Sequence, residues 1–290
     1  MSATIKLAGF TAILAALFAV GALAGGIIDP ATAGDDEAPS MAGHGGDAEP
    51  AAGHGEAAAP DPVRGLAVAA EGVRLEVERA ELRRGRDEEL RFRIVSEADG
   101  AAVRDFEVTH ERRMHLIVVR RDLTGFQHLH PKMRADGTWV APVTLADGGS
   151  YRMFADFSRG GEAQTLASDL RVDGTADLRD LPAPDPVATT GDYEVHLDAG
   201  DARPGTPATL DFEITRDGEP VETEPYLGAG GHLVALREGD LAFLHVHPEE
   251  HADGVAFEAT FPSAGRYRLF LQFQHEGKVQ TVAFTQEVTR

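Results

Sequence analysis

The chain is expected to fold as an all-β protein, two tandem immunoglobulin-like antiparallel β-sandwiches. Three observations lead there. Short runs such as LEVERAEL, LRFRIV, HLIVV, TWVAPVTL and YRMFADF, with a further run over residues 164–172, are separated by Gly, Asp and Pro clusters. Alternation with a period of two between turn residues is the signature of strands, and six or seven such strands per unit suit a sandwich. No amphipathic helix of useful length interrupts them. Finally, the whole pattern occurs twice.

The repeat is read by aligning MHLIVVRRDLTGFQHLHPKM, from Met114, with GHLVALREGDLAFLHVHPEE, from Gly231. His115 falls on His232, His128 on His245, His130 on His247 and Pro131 on Pro248, every pair separated by 117 positions. Asp136-Gly137 falls on Asp253-Gly254. After a one-residue gap GGSYRMFADF meets AGRYRLFLQF, and upstream LRFRIV meets LDFEIT. The expected boundaries are residues 65–173 for the first module and 190–290 for the second. A linker over residues 174–189 is marked by the Pro-rich joining stretch LRDLPAPDPVATT, residues 178–190. Each module is an ordinary domain size.

Ahead of the modules, residues 7–28 read LAGFTAILAALFAVGALAGGII without a charge. As a helix they would span about 33 Å, enough for a bilayer. Residues 1–28 are therefore either a transmembrane anchor or a signal peptide cleaved near Ala22-Leu23-Ala24. Both place the modules outside the cytoplasm, membrane-attached or secreted. Residues 29–62 are rich in Ala, Gly, Pro, Asp and Glu, contain no aromatic or branched aliphatic side chain, and read as a disordered tether carrying His44 and His54.

The 290 residues carry a net charge of −21, which repels nucleic acid and attracts cations. The absence of cysteine excludes disulfides, thiolate zinc sites and blue-copper centres. A metal site here must use His, Asp, Glu or Met.

The histidines fit that requirement. Residues i and i+2 of a strand share a face, so His128 and His130 point one way, as do His245 and His247, with Phe126 and Phe243 on the same faces. A hairpin turning at Gly239-Asp240 would set His232 opposite His247. The same register about Asp122-Leu123 would set His115 opposite His130. Directly opposed Cβ atoms lie about 4.5–5.5 Å apart. The triads His115/His128/His130 and His232/His245/His247 are thus candidate ligands for copper or zinc. His110, His251 and His275 are accessory candidates, since each lacks a His counterpart in the other copy. Met114, Met133 and Met153 in the first module could add thioethers. A structural reading stands beside these: duplication copies every residue, and His before Pro can stack on an aromatic ring and bond a loop carbonyl. Clustered imidazoles could also sense pH.

No catalytic motif is present, neither G-x-S-x-G, H-E-x-x-H nor a P-loop. The enzyme alternative is a metal-dependent hydrolase using an open position on a three-His site, with no general base to support it. The run HLIVVRRDLTGFQHLHP, followed by DGTW and GGSYRMFADF, resembles exported bacterial β-sandwich modules of the YtkA-like kind. The second copy departs in its GDLAF spacing. The resemblance implies an extracytoplasmic role linked to copper or heavy-metal handling. The expectation is a membrane-tethered metal-binding protein, for copper above all, acting in buffering or delivery. The alternative is a non-catalytic envelope interaction module, with an envelope protein as partner and structural histidines.

Overall fold

The computed structural model describes residues 63–244, 246–249 and 255–290, with the backbone alone at position 247. The expected anchor and tether, and also His245 and His251, lie outside the described residues. Among the described residues no helix is long and apolar enough to cross a membrane.

The first sandwich is built from β1 (Ala69–Ala70), β2 (Val73–Val77), β3 (Glu81–Leu82), β4 (Asp87–Ser96), β5 (His115–Arg120), β6 (Gln127–Leu129), β7 (Lys132–Met133), β8 (Trp139–Thr144), β9 (Gly149–Arg159) and β10 (Glu162–Val172). The second contains β11 (Val187–Thr190), β12 (Tyr193–Asp198), β13 (Pro207–Arg216), β14 (Glu219–Pro220), β15 (His232–Arg237), β16 (Phe243–Leu244), β17 (Val246–Pro248), β18 (Val255–Thr260), β19 (Gly265–His275) and β20 (Lys278–Val288). Sheets ordered β1-β2-β4-β8-β7 and β3-β10-β9-β5-β6 form the first, and β11-β12-β13-β18-β17, with β14 on β13, and β16-β15-β19-β20 the second. The fold is therefore the expected pair of tandem immunoglobulin-like sandwiches. One pairing is parallel: short β3 runs alongside the end of β10. It does so because the chain leaving β2 crosses to the other sheet without reversing.

Each sandwich has its own core. Leu90, Phe92, Leu116, Val118, Trp139 and Met153 belong to the first, and Leu210, Phe212, Leu233, Ala235, Phe257 and Leu269 to the second. Met114 is also in the first core and Met133 packs against it. Met114 and Met153 thus fill the interior on the face opposite His115, and Met133 packs against it from the other sheet.

A third core explains where the histidines go. On β5 the alternate residues Ile117 and Val119 face away from their own sandwich, as Val234 and Leu236 do on β15. These four are buried together with Phe154, Phe243 and Phe270. The sheets containing β5 and β15 therefore face each other, and the seam between the sandwiches is apolar. Phe126 stacks on Phe270 with centroids 4.1 Å apart, and Phe154 meets Phe243 at 5.5 Å. The two pairs are equivalent under the repeat, so each module inserts its aromatics into the other in the same way.

The chain entering the first sandwich fastens this seam. Gly65 N–H donates to the Thr165 carbonyl, and Phe243 N–H donates to the Arg64 carbonyl. The Arg152 guanidinium donates to the Gly65 and Leu66 carbonyls. Gly65 has φ +70, and a Cβ there would lie 2.7 Å from Phe243 Cβ, so only glycine fits.

The two hairpins keep the expected register but not the expected turn. Leu116 pairs with Leu129, and Ala235 with Leu244. In the second hairpin Arg237 N–H donates to the Ala242 carbonyl at 3.0 Å, which leaves a four-residue loop rather than a two-residue Gly-Asp turn. Asp240 accepts from Arg237 and from Ala242 N–H, and Leu241 takes φ 60. That backbone carries the Leu241 side chain into the seam core. In the first hairpin Leu123, at φ 63, does the same; Arg120 N–H donates to the Thr124 carbonyl, and Gly125, left between ladder positions, fits under the Tyr151 ring.

The second hairpin then diverges. β16 ends at Leu244, and β17 pairs with β18 in the other sheet, His247 opposite Glu258. The backbone of His247 is therefore not opposite His232, whose partner in β19 is Gln272. In the first copy the chain stays on β5 through Leu129 before β7 joins β8.

Candidate metal centre

β5 turns His115 to the seam face, in line with Ile117 and Val119, where the apolar core gives out toward one end of the sheet. β6 brings His128 to the same face beside it, and His130 follows just past β6, opposite His115 in register. Ring centroids are 5.2 Å apart for His115 and His128, 5.3 Å for His115 and His130, and 4.7 Å for His128 and His130. One ring nitrogen from each of the three lies within 4.8 Å of the others.

The second sandwich reaches this cluster. The His232 ring is 4.6 Å from that of His128 and stacks on that of His115 at 5.4 Å. Gln272, beside His232 in register, places Oε1 2.6 Å from His128 Nδ1, and its Nε2 donates to Thr281 Oγ1. The equivalent positions of the first copy form a matching pair, in which Thr165 Oγ1 donates to Asp156 at 2.6 Å. His110 completes the group from a tight turn, Thr109 to Arg112, in which His110 and Glu111 both have positive φ. Its ring is 6.2 Å from that of His115 and 6.0 Å from that of His232.

Hydrogen bonds fix what the rings can do. His115 Nε2 is 3.1 Å from the Thr109 carbonyl, which can only accept, so the proton of neutral His115 sits on Nε2 and Nδ1 keeps its lone pair. With Gln272 Oε1 accepting, neutral His128 carries its proton on Nδ1 and keeps its lone pair on Nε2. Those two lone-pair nitrogens face each other at 3.0 Å. In addition, the buried atoms His130 Nε2 and His232 Nδ1 have no hydrogen-bond partner among the described residues.

Burial holds His115, His128, His130 and His232 toward the neutral form. Burial, then the neighbouring His115 and His130, lowers His128 to about 3 against the hydrogen bond to Gln272. Burial, then His115 and Arg112, lowers His130 to about 4. Burial lowers His115, opposed by the Thr109 carbonyl, and holds His232 well below its ordinary value together with His128 and the other rings. Burial raises Asp156 to about 6, opposed by Thr165, Arg64 and His110.

Of the residues expected at a site, the fold thus brings His115, His128 and His130 together and adds His232 and His110 to them. His275 stands apart, its Nδ1 2.8 Å from the Tyr193 hydroxyl. His245 and His251 are outside the described residues, and at position 247 only the backbone is described. Gln272 was not among the expected residues. In the repeat it aligns with Asp156, but the pairing of both with the recurring His is visible only in the sheet.

A family model described as a domain of unknown function, DUF8832, matches residues 67–174 and again residues 188–290. No curated protein matches the chain. Similar solved structures include a DUF4426 family protein from Pseudomonas aeruginosa PAO1, 15% identical over 36% of this chain and 96% of that one, with a TM-score of 0.28. The Escherichia coli adhesin FdeC is 16% identical over 77% of this chain and 66% of its own, with a TM-score of 0.27. For Salmonella alpha-2-macroglobulin the values are 13%, 78%, 15% and 0.27.

Proposed function

This chain belongs to the DUF8832 family, and we propose that it binds a transition-metal ion, copper or zinc, through His115, His128 and His130. The observation that carries this reading is the pair of facing nitrogens, His115 Nδ1 and His128 Nε2, 3.0 Å apart, both with lone pairs in the tautomers that the Thr109 carbonyl and Gln272 Oε1 select. Two lone pairs at that distance repel unless a cation lies between them. A proton is a poor candidate, because burial disfavours imidazolium at both rings. A metal ion with Zn–N bonds of about 2.0–2.1 Å sets adjacent tetrahedral ligand atoms about 3.3 Å apart, close to this spacing. The other nitrogen of each ring donates to an amide oxygen, the outer-shell arrangement that orients metal-binding histidines. The uncharged residues 7–28 support a membrane-tethered or secreted, extracytoplasmic setting, and the resemblance to YtkA-like modules suits buffering or delivery of the ion rather than catalysis.

A second reading is favoured by one feature of the same network. If the Gln272 amide is turned over, its NH2 donates to His128 Nδ1, its oxygen accepts from Thr281, and His128 Nε2–H donates to His115. The histidines are then structural, in an envelope interaction module. Titration of the full chain with Zn(II) and Cu(II) against a competing chelator separates the two. In the metal reading His128→Ala/His130→Ala removes one tight site per chain. Unchanged stoichiometry would sink it, and loss of stability with and without metal alike would favour the structural reading.

A further inference from the structure

We propose that the second sandwich closes this metal site: Gln272 holds His128 in its ion-facing tautomer and His232 supplies a further imidazole, so that one divalent ion clasps the two sandwiches. The inference rests on the metal reading above and adds a requirement for the second sandwich.

Three observations converge on it. Gln272 makes the short bond to His128 Nδ1 across the seam, from a strand that pairs with β15. Its amide nitrogen donates to Thr281 Oγ1, and its oxygen lies toward His128. Under the repeat Gln272 and Thr281 are the counterparts of Asp156 and Thr165, so the two copies differ here in charge. The neutral amide accepts from His128 without adding a second buried carboxyl to that of Asp156.

His232 stands on the same seam face, with buried Nδ1 lacking a partner among the described residues and its ring within 5.4 Å of both His115 and His128. It is outside the set of nitrogens within 4.8 Å of one another. It reaches the ion by a turn of its ring about the side-chain torsions. The resulting donor set is all imidazole, without carboxylate or thioether, and suits Zn(II) or Cu(II) rather than Mg(II) or Ca(II).

The functional consequence is linkage. An ion that touches both sandwiches binds the docked arrangement more tightly than the separated one, and stabilises docking by the same factor. Release of the ion and loosening of the seam are then one equilibrium, a property that suits a protein that hands its ion on.

The test uses the full chain with Zn(II), a chromophoric competitor, and limited proteolysis of the strand-free connector between β10 and β11. Gln272→Leu and His232→Ala are expected to weaken Zn(II) binding about 10- to 100-fold. Gln272→Glu, which still accepts from His128 Nδ1–H, retains binding, while Gln272→Met, which keeps the volume but accepts nothing, does not, a contrast that a packing role for Gln272 would not give. Zn(II) protects the connector in the wild type and not in Gln272→Leu or His232→Ala. If His232→Ala fails to fold in metal-free buffer, His232→Asn is read in its place. Binding and protection equal to wild type in both variants overturn the clasp. If His128→Ala/His130→Ala binds less well while these variants do not, the clasp alone falls. If all bind as the wild type does, the metal reading falls with it.

Discussion

His128 illustrates how one residue can be legible in sequence while its chemistry is not. The H-x-H spacing and the repeat mark it, and strand alternation correctly predicts that His130 shares its face. Its proton position depends on Gln272, about 140 residues away along the chain, and no local pattern reports that contact. The depressed ring pKa values carry a prediction at this scale. In the unfolded chain the imidazoles titrate near about 6.5, whereas folded His128 and His130 titrate near about 3 and about 4. Between those values the unfolded chain binds more protons, so the stability that depends on neutral rings is complete above pH about 6.5 and is lost as pH falls toward 4. Asp156 runs the other way. Its raised pKa of about 6 gives a contribution complete below about 3.8 and lost as pH rises through 6. His128 and His130, joined by His115 and His232 shifted in the same direction, outweigh one carboxyl. The metal-free protein should therefore melt at progressively lower temperature from pH 6.5 to pH 4. A flat profile over that range would contradict the assigned neutral cluster.

At the scale of elements, β5 and β15 decide where the site lies. Their sequences, HLIVVR and HLVALR, are apolar on both faces rather than alternating. Continuous apolar strands are buried on both sides, so a second buried face was legible there, although the alternating reading of HLIVV passed over it. What covered it was not, because the partner is the other copy of the same sheet. The hairpin registers followed from the symmetry of the His spacing. The departure of β17 to β18 did not, because it depends on which sheet offers a free edge. The seam itself makes a prediction. Phe270 is buried and stacked on Phe126 with an 8° interplanar angle. Phe270→Ala should cost about 3–5 kcal/mol in urea unfolding. It should also split a single transition into two, as the sandwiches lose their hold on each other. A cost below about 1 kcal/mol with one transition retained would place the coupling elsewhere, for instance in the Gly65 crossing.

For the whole molecule, duplication and docking together explain the arrangement better than duplication alone. Two copies predict two separate sites. Docking their equivalent faces instead carries His232 and Gln272 of the second sandwich to the triad of the first, at a seam whose remainder is apolar. The acidic chain, at net charge −21, favours cation approach to such a cluster. The two-sandwich plan was legible from strand patterning and the repeat. The composite cluster was not, because it forms only where the two sandwiches meet. Anomalous X-ray scattering at the zinc edge, on crystals of the full chain grown with Zn(II), tests the account most directly. The account predicts a peak about 2.0–2.1 Å from both His115 Nδ1 and His128 Nε2, with Gln272 Oε1 accepting from His128 Nδ1. No peak there, with the Gln272 amide nitrogen donating to His128 and His128 donating to His115, would contradict it.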